Sequence, residues 1–193
     1  MRSKRRPNGR KATAVLGSCL VAVLTLMCSS TSAQTQSNAS LYTSVEAKSC
    51  RTVKSGGQEA DSYTGRCRGI GGYSLIVEEG DLRTNIKVVT PSGRQHSLEL
   101  WSVVSSGFSS LGPKAEWRLA KRGSKSVPVA LIIRYNASED AANPNRTTSY
   151  LVVSKLTPEQ SCVTDKIGPG ANSNIEARRA ADLAPTKTCL KAQ

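Results

Sequence analysis

The chain holds a single histidine, His96, and that count bounds the chemistry open to it. A Ser-His-Asp site needs an imidazole to take the serine proton and a Gly-x-Ser-x-Gly elbow to present the nucleophile. Serines are abundant, yet no such elbow occurs, and His96 falls between a turn and a strand as an ordinary surface or strand-end residue. A zinc site needs several nitrogen or sulfur ligands. One histidine and no Cys-x-x-Cys pair do not supply them. Glycoside hydrolysis needs two carboxylates across a cleft. Glu78, Glu79 and Asp81 cluster in sequence, but neighbours on a strand point to opposite faces, and Gly80 marks a turn. Gly69-Ile70-Gly71-Gly72 lacks the Lys-Ser/Thr of a phosphate-cradling loop and leads into a strand where a helix would be required. It reads as a tight turn beside Cys67. No cofactor and no metal is implied.

What remains is binding chemistry. Lys121-Arg122-Gly123-Ser124-Lys125 makes a tight connection between two strands, so Lys121, Arg122 and Lys125 concentrate charge on one exposed tip. They are the candidate binding residues. The polar stretch from Asn136 to about Thr148 is longer than a hairpin requires and is a candidate recognition loop. Trp117 alternates with Leu119 and belongs to a core; an exposed tryptophan would instead be able to stack on a sugar ring.

The elements that must position these residues belong to an exported chain. Arg2, Lys4, Arg5, Arg6, Arg10 and Lys11 form a positive segment without acidic residues, and an uncharged run from Ala12 to Met27 follows. An apolar core of about 12 to 15 residues suits a signal peptide, whereas a membrane span needs roughly 20. Thr31 and Ala33 form a small-x-small cleavage site, so residues 1–33 are a signal peptide and the mature chain starts at Gln34 without a transmembrane anchor. The location is periplasmic or secreted. Cleavage removes six basic residues and no carboxylate, lowering the formal net charge from +13 to +7. Outside the cytoplasm such a basic surface favours an anionic envelope polymer or a secreted protein as partner, and the compartment argues against nucleic acid.

Four cysteines survive cleavage: Cys50, Cys67, Cys162 and Cys189. An even count in an exported chain reads as disulfides. Of three connectivities, Cys50 with Cys67 and Cys162 with Cys189 close the modest loops.

Residues 34–44 are polar with few apolar anchors and read as a flexible lead-in; residues 45–193 form a single disulfide-stapled domain of a length able to bury a core. Its period is two. Leu82, Thr84, Ile86 and Val88 alternate with Arg83, Asn85 and Lys87, then Thr90-Pro91-Ser92-Gly93 makes a turn into HSLELW, read as the next strand. YSLIVEE, AEWRLAK, VALIIRY and SYLVVSKL add strands, the last two apolar on both faces as covered strands are. Ser173-Asn174-Ile175-Glu176 forms a capping box before EARRAADLA, and Pro185 stops this helix. Ala177, Ala180, Ala181 and Ala184 share one face, with Arg178, Arg179 and Asp182 turned to water. The fold class is mainly β: an antiparallel sheet, sandwich or open barrel with one C-terminal helix and two disulfides.

The segments CRGIGGYSLIVEEGDLR, AEWRL, LIIRY, LVVSKL and IEARRAADLAPTKTC resemble an uncharacterised family of exported, periplasmic or secreted proteins of Gram-negative bacteria, mainly alphaproteobacteria. The resemblance covers the chain from Cys50 to Cys189. It implies a bacterial envelope or secreted setting and transfers no residue role. The expected function is therefore a non-catalytic envelope or secreted binding domain, with an inhibitor of a secreted hydrolase as the alternative and a hydrolase after that. Protein recovered from the periplasm or medium should have an intact mass that starts near Gln34; a mass retaining residues 1–33 would overturn the signal-peptide reading.

Overall fold

The computed structural model describes residues 38–55, 62–140 and 142–192. The expected signal peptide, its cleavage site and the first part of the lead-in lie outside the described residues. In chain order the elements are β1 (Ala39–Ser44), β2 (Arg51–Ser55), β3 (Tyr63–Arg68), β4 (Ser74–Gly80), β5 (Arg83–Val89), β6 (Gln95–Ser97), α1 (Leu100–Val103), β7 (Phe108–Arg122), β8 (Lys125–Ser138), β9 (Thr147–Leu156), β10 (Ser161–Ile167) and α2 (Ser173–Leu183). They form two antiparallel sheets, one ordered β1-β7-β8-β9-β10 and the other β2-β3-β4-β5-β6. No helix among the described residues is long and apolar enough to cross a membrane.

Period-two patterning explains the sandwich. Leu75, Val77, Ile86 and Val88 from the β2–β6 sheet meet Trp117, Leu131, Ile133, Tyr135 and Val152 from the other in one buried cluster. The alternate residues of β8 and β9, Ala130, Ile132, Leu151 and Val153, form a second cluster with Ala177, Ala181 and Ala184 beneath α2. Small alanines let the helix approach the sheet closely. Both expected disulfides are present, Cys50–Cys67 and Cys162–Cys189.

Turn chemistry sets the hairpins. Gly71 and Gly72 both have positive φ, and the Tyr73 amide donates to the Ile70 carbonyl, so the glycine run is the tight turn joining β3 to β4. Gly93 donates to Thr90 across the Pro91-Ser92 turn at 2.9 Å. The two-residue connection Gly123-Ser124 joins Arg122 to its cross-strand partner Lys125, with Gly123 at φ 61°.

Five expectations need correction. Ala39–Ser44 is no loose lead-in but an edge strand, running from Ala39 opposite Leu119 to Ser44 opposite Lys114. Its polar composition has a structural reason: Thr43 Oγ1 accepts the Trp117 indole N–H at 2.8 Å, and Ser40 Oγ donates to Glu116. Leu82 does not join the buried face of β5. It sits with Asp81 in the β4–β5 turn, both at positive φ, and is exposed. The strand expected over HSLELW ends at Ser97, because Leu100, Val103 and Val104 enter the core at helical spacing and the chain turns into α1. The Ser173 capping box does not form: Ser173 is already inside α2, and Asn172 is the N-cap, without a side-chain bond.

Arg178 and Asp182 are also not turned to water. Arg118, 4% exposed on β7, donates from Nε and Nη2 to Asp182 at 2.9–3.0 Å, and Arg178 Nε donates to Glu116 Oε1 at 2.7 Å. These pairs fasten α2 to β7 while the alanines bind it to β8 and β9. Burial by itself would push the Glu116 carboxyl up; hydrogen bonds from Arg178 and Ser40, the Arg178 charge and Tyr42 outweigh it and hold the group below the usual carboxylate range. A carboxyl lowered on folding stabilises fully above its unfolded pKa of about 4.3 and loses that contribution as pH falls through the lower native value. Glu116→Gln should therefore be less stable than the parent at pH 7, and the gap in urea midpoint should close below about pH 4. A gap independent of pH would mean the carboxylate charge is not what holds the helix.

Candidate binding face

The helix covers the outer face of one sheet, and the outer face of the other carries the polar chemistry. Its register starts from a covalent bond. Cys50 and Cys67 are joined with their Cα atoms 4.2 Å apart, Cys67 fully buried on the inner side. The next pair, Arg51 opposite Arg66, then points outward. Arg66 is followed across the sheet by Ile76, Lys87 and Ser97, which form one outward row. Arg68, two residues further along β3, is exposed on the same face. None of the ion pairs among the described residues involves Arg51, Arg66 or Arg68. Like charges directly opposite on a sheet repel, so this arrangement is retained at a cost in stability.

Lys87 differs from these arginines. Its Nζ lies 2.5 Å from Glu78 Oε1, and Glu78 Oε2 accepts at 3.4 Å from the Asn85 amide. Asn85 is 1% exposed; its Nδ2 also donates to Ser97 Oγ at 2.9 Å, and its Oδ1 accepts the Leu100 backbone N–H at 3.2 Å. Asn85 therefore ties the start of α1 to β5 and sets the direction of the following residue, Trp101. Trp101 is 40% exposed. It borders an open groove of about 680 Å³, together with Tyr63, Thr64, Glu78, Arg83 and Lys87. Arg83 is held at the rim: its Nε donates to the Ser106 carbonyl at 3.0 Å, it pairs with Asp81, and it lies over the Phe108 ring at 5.4 Å.

The residues singled out by sequence fall at several places. Lys121, Arg122 and Lys125 are exposed at the β7–β8 tip. A Cβ added at Gly71 would meet Pro128 Cδ at 2.8 Å, so the β3–β4 turn next to Arg68 and the base of this hairpin share one end of the sandwich. The Trp101 groove lies at the opposite end, by the β4–β5 turn. Glu78 and Glu79 alternate across the sheet as expected, Glu78 facing Asn85 and Glu79 facing Thr84, and Glu78 is engaged by Lys87. His96 lies in β6 opposite the buried Val88, with Nε2 enclosed and without a hydrogen-bond partner among the described residues. Trp117 is fully buried, its ring 6.3 Å from that of Tyr73. In the Asn136–Thr148 segment, Asn136–Ser138 continue β8 and Thr147 begins β9. Glu139 follows β8; burial would push its carboxyl up, but hydrogen bonds from Tyr150 and Ser105 and the Lys166 charge hold it low. Tyr150 is pushed up to about 12 by burial and its bond to Glu139. These contacts close the base of the β8–β9 hairpin.

Sequence reasoning missed Arg51, Arg66, Arg68 and Trp101. The signal for the arginines was present in Cys50-Arg51 and Arg66-Cys67-Arg68: opposing cysteines force their neighbours to oppose as well. No family model, no curated protein and no solved structure matches the chain.

Asn85→Ala should leave the Leu100 amide unpaired and lower stability by about 1–3 kcal/mol in urea unfolding. Trp101 emission should shift to the red as α1 loosens. Unchanged stability and emission would show that Asn85 does not hold the helix.

Proposed function

We propose that this chain is an exported, non-catalytic binding domain of the bacterial periplasm or surroundings, and that its ligand is an anionic polymer. The observation that carries the reading is the pair Arg51 and Arg66, set opposite each other next to the Cys50–Cys67 bond and without an ion-pair partner among the described residues. An external anion removes the repulsion that folding imposes, and a guanidinium offers bidentate hydrogen bonds to carboxylate, sulfate or phosphate. Arg68 extends the positive surface toward the end of the sandwich where Lys121, Arg122 and Lys125 project from the β7–β8 tip. At about 3.4 Å per residue, β3 alone spans a distance suited to several units of a polymer. The signal-like leader and the two disulfides support the exported setting. The non-catalytic part is supported by the engagement of Glu78 with Lys87 and Asn85 and by the enclosure of the His96 Nε2 atom.

Chromatography on an immobilised acidic polysaccharide, eluted with rising salt, tests this. Exposed charge attraction is screened over about 8 Å at physiological salt, so the parent should elute at moderate ionic strength. Arg51→Ser/Arg66→Ser should elute earlier, and Lys121→Ser/Arg122→Ser/Lys125→Ser earlier than the parent as well. Arg146→Ser/Arg179→Ser removes two exposed charges elsewhere, in the β8–β9 connection and on α2, and should move the peak little. An equal shift for this control and the Arg51/Arg66 variant would reduce the effect to net charge and overturn the reading.

A further inference from the structure

We propose that the groove beside Trp101 is a subsite for one sugar ring, so that the polymer bound by the arginine face is an acidic glycan. This rests on the anionic-polymer reading and narrows its ligand class. A free phosphate chain or a nucleic-acid backbone needs only cations, and the groove is built from different parts. Trp101 lines its wall, and among the described residues no hydrogen bond engages its Nε1 atom. A tryptophan left 40% exposed keeps apolar area in water, unlike Trp117, which is buried and hydrogen-bonded to Thr43. The C–H face of a pyranose covers such a ring, and its hydroxyls then need donors and acceptors around the edge.

The groove supplies both. Glu78 is an acceptor with lone pairs left over after Lys87 and Asn85, Lys87 can donate further hydrogen bonds, and Tyr63 and Thr64 add hydroxyls at the β3 side. A volume of about 680 Å³ falls within the usual range for small-ligand sites, roughly 300–1,000 Å³. The wall is also preorganised. Asn85, almost fully buried, holds α1 through the Leu100 amide, and Glu99 enters the helix at φ 50°, a conformation that L-residues adopt only when the surroundings enforce it. Continuity gives the ligand its charge: Lys87 belongs both to the groove and to the outward row that runs through Ile76 to Arg66 and Arg51. A glycan with a ring against Trp101 therefore directs acidic substituents of the next units along that row.

Fluorescence quenching by acrylamide tests the proposal, because acrylamide reaches Trp101 and not the buried Trp117. Tetragalacturonate and inorganic polyphosphate are the two probes. Saturating tetragalacturonate should protect Trp101 from acrylamide, whereas polyphosphate should bind and leave Trp101 accessible. Trp101→Ala should weaken tetragalacturonate binding about tenfold, equivalent to about 1.4 kcal/mol, with polyphosphate affinity unchanged within about twofold. Trp101→Tyr should recover most of the loss. Arg51→Ser/Arg66→Ser should weaken both probes. If polyphosphate binds while tetragalacturonate leaves Trp101 accessible, or if Trp101→Ala weakens both probes equally, the sugar subsite is wrong and the anion face stands. If neither probe binds, both fall.

Discussion

The sheet β1-β7-β8-β9-β10 buries apolar side chains on both of its faces, and this two-sided burial decides where everything else lies. Ala130, Ile132, Leu151 and Val153 cannot be left in water, so α2 must lie over them; Leu131, Ile133, Tyr135 and Val152 cannot either, so the second sheet must close the other side. Three layers result: helix, sheet, sheet. Among the described residues no element lies over the outer face of the last layer, and its outward residues carry the polar chemistry.

Electrostatics is divided between the two ends of this stack according to burial. On β7, Arg118 and Glu116 are nearly enclosed, and each is matched by a partner on α2, Asp182 and Arg178. A charge taken out of water needs such a partner, because leaving it single would cost several kcal/mol. On the uncovered sheet the reverse holds. Arg51 and Arg68 are exposed, Arg66 is half-buried, and none of the three has an ion-pair partner among the described residues, which makes them available to a ligand. Lys87 and Glu78 stand between the two cases, partly buried and joined to each other.

The disulfides act at different levels. Cys162–Cys189 ties the end of the chain after α2 back to β10, and the Leu190 amide donates to the Val163 carbonyl beside it. Cys50–Cys67 fixes the register of an edge strand that is bulged a few residues later, between Thr52 and Lys54. An edge strand held by few backbone bonds is prone to slip, and a slip of one residue would move Arg51 to the other face. The bond thus stabilises the fold and also preserves the alignment of the arginines.

The sequence by itself determined the antiparallel β architecture, the C-terminal helix with its alanine face, three of the hairpin turns and both disulfide pairings. These depend on local patterns: period-two alternation, glycine at positive φ, and cysteines close enough to pair. Tertiary structure decided the rest. Whether Ala39–Ser44 is a strand depends on Trp117 needing Thr43 as an acceptor, which lies 74 residues away. Whether Leu98–Trp101 continues β6 depends on Asn85 accepting the Leu100 amide, and that contact leaves one tryptophan at the surface while the other is buried. Arg178 and Asp182 looked like solvent-facing residues of an amphipathic helix until their partners on β7 were brought beneath them. The arginine face lay between these cases. Its members flank the cysteines in sequence, but they form one surface only because the sheet places β2 beside β3, with Arg51 opposite Arg66, a pairing that brings together residues 15 apart along the chain.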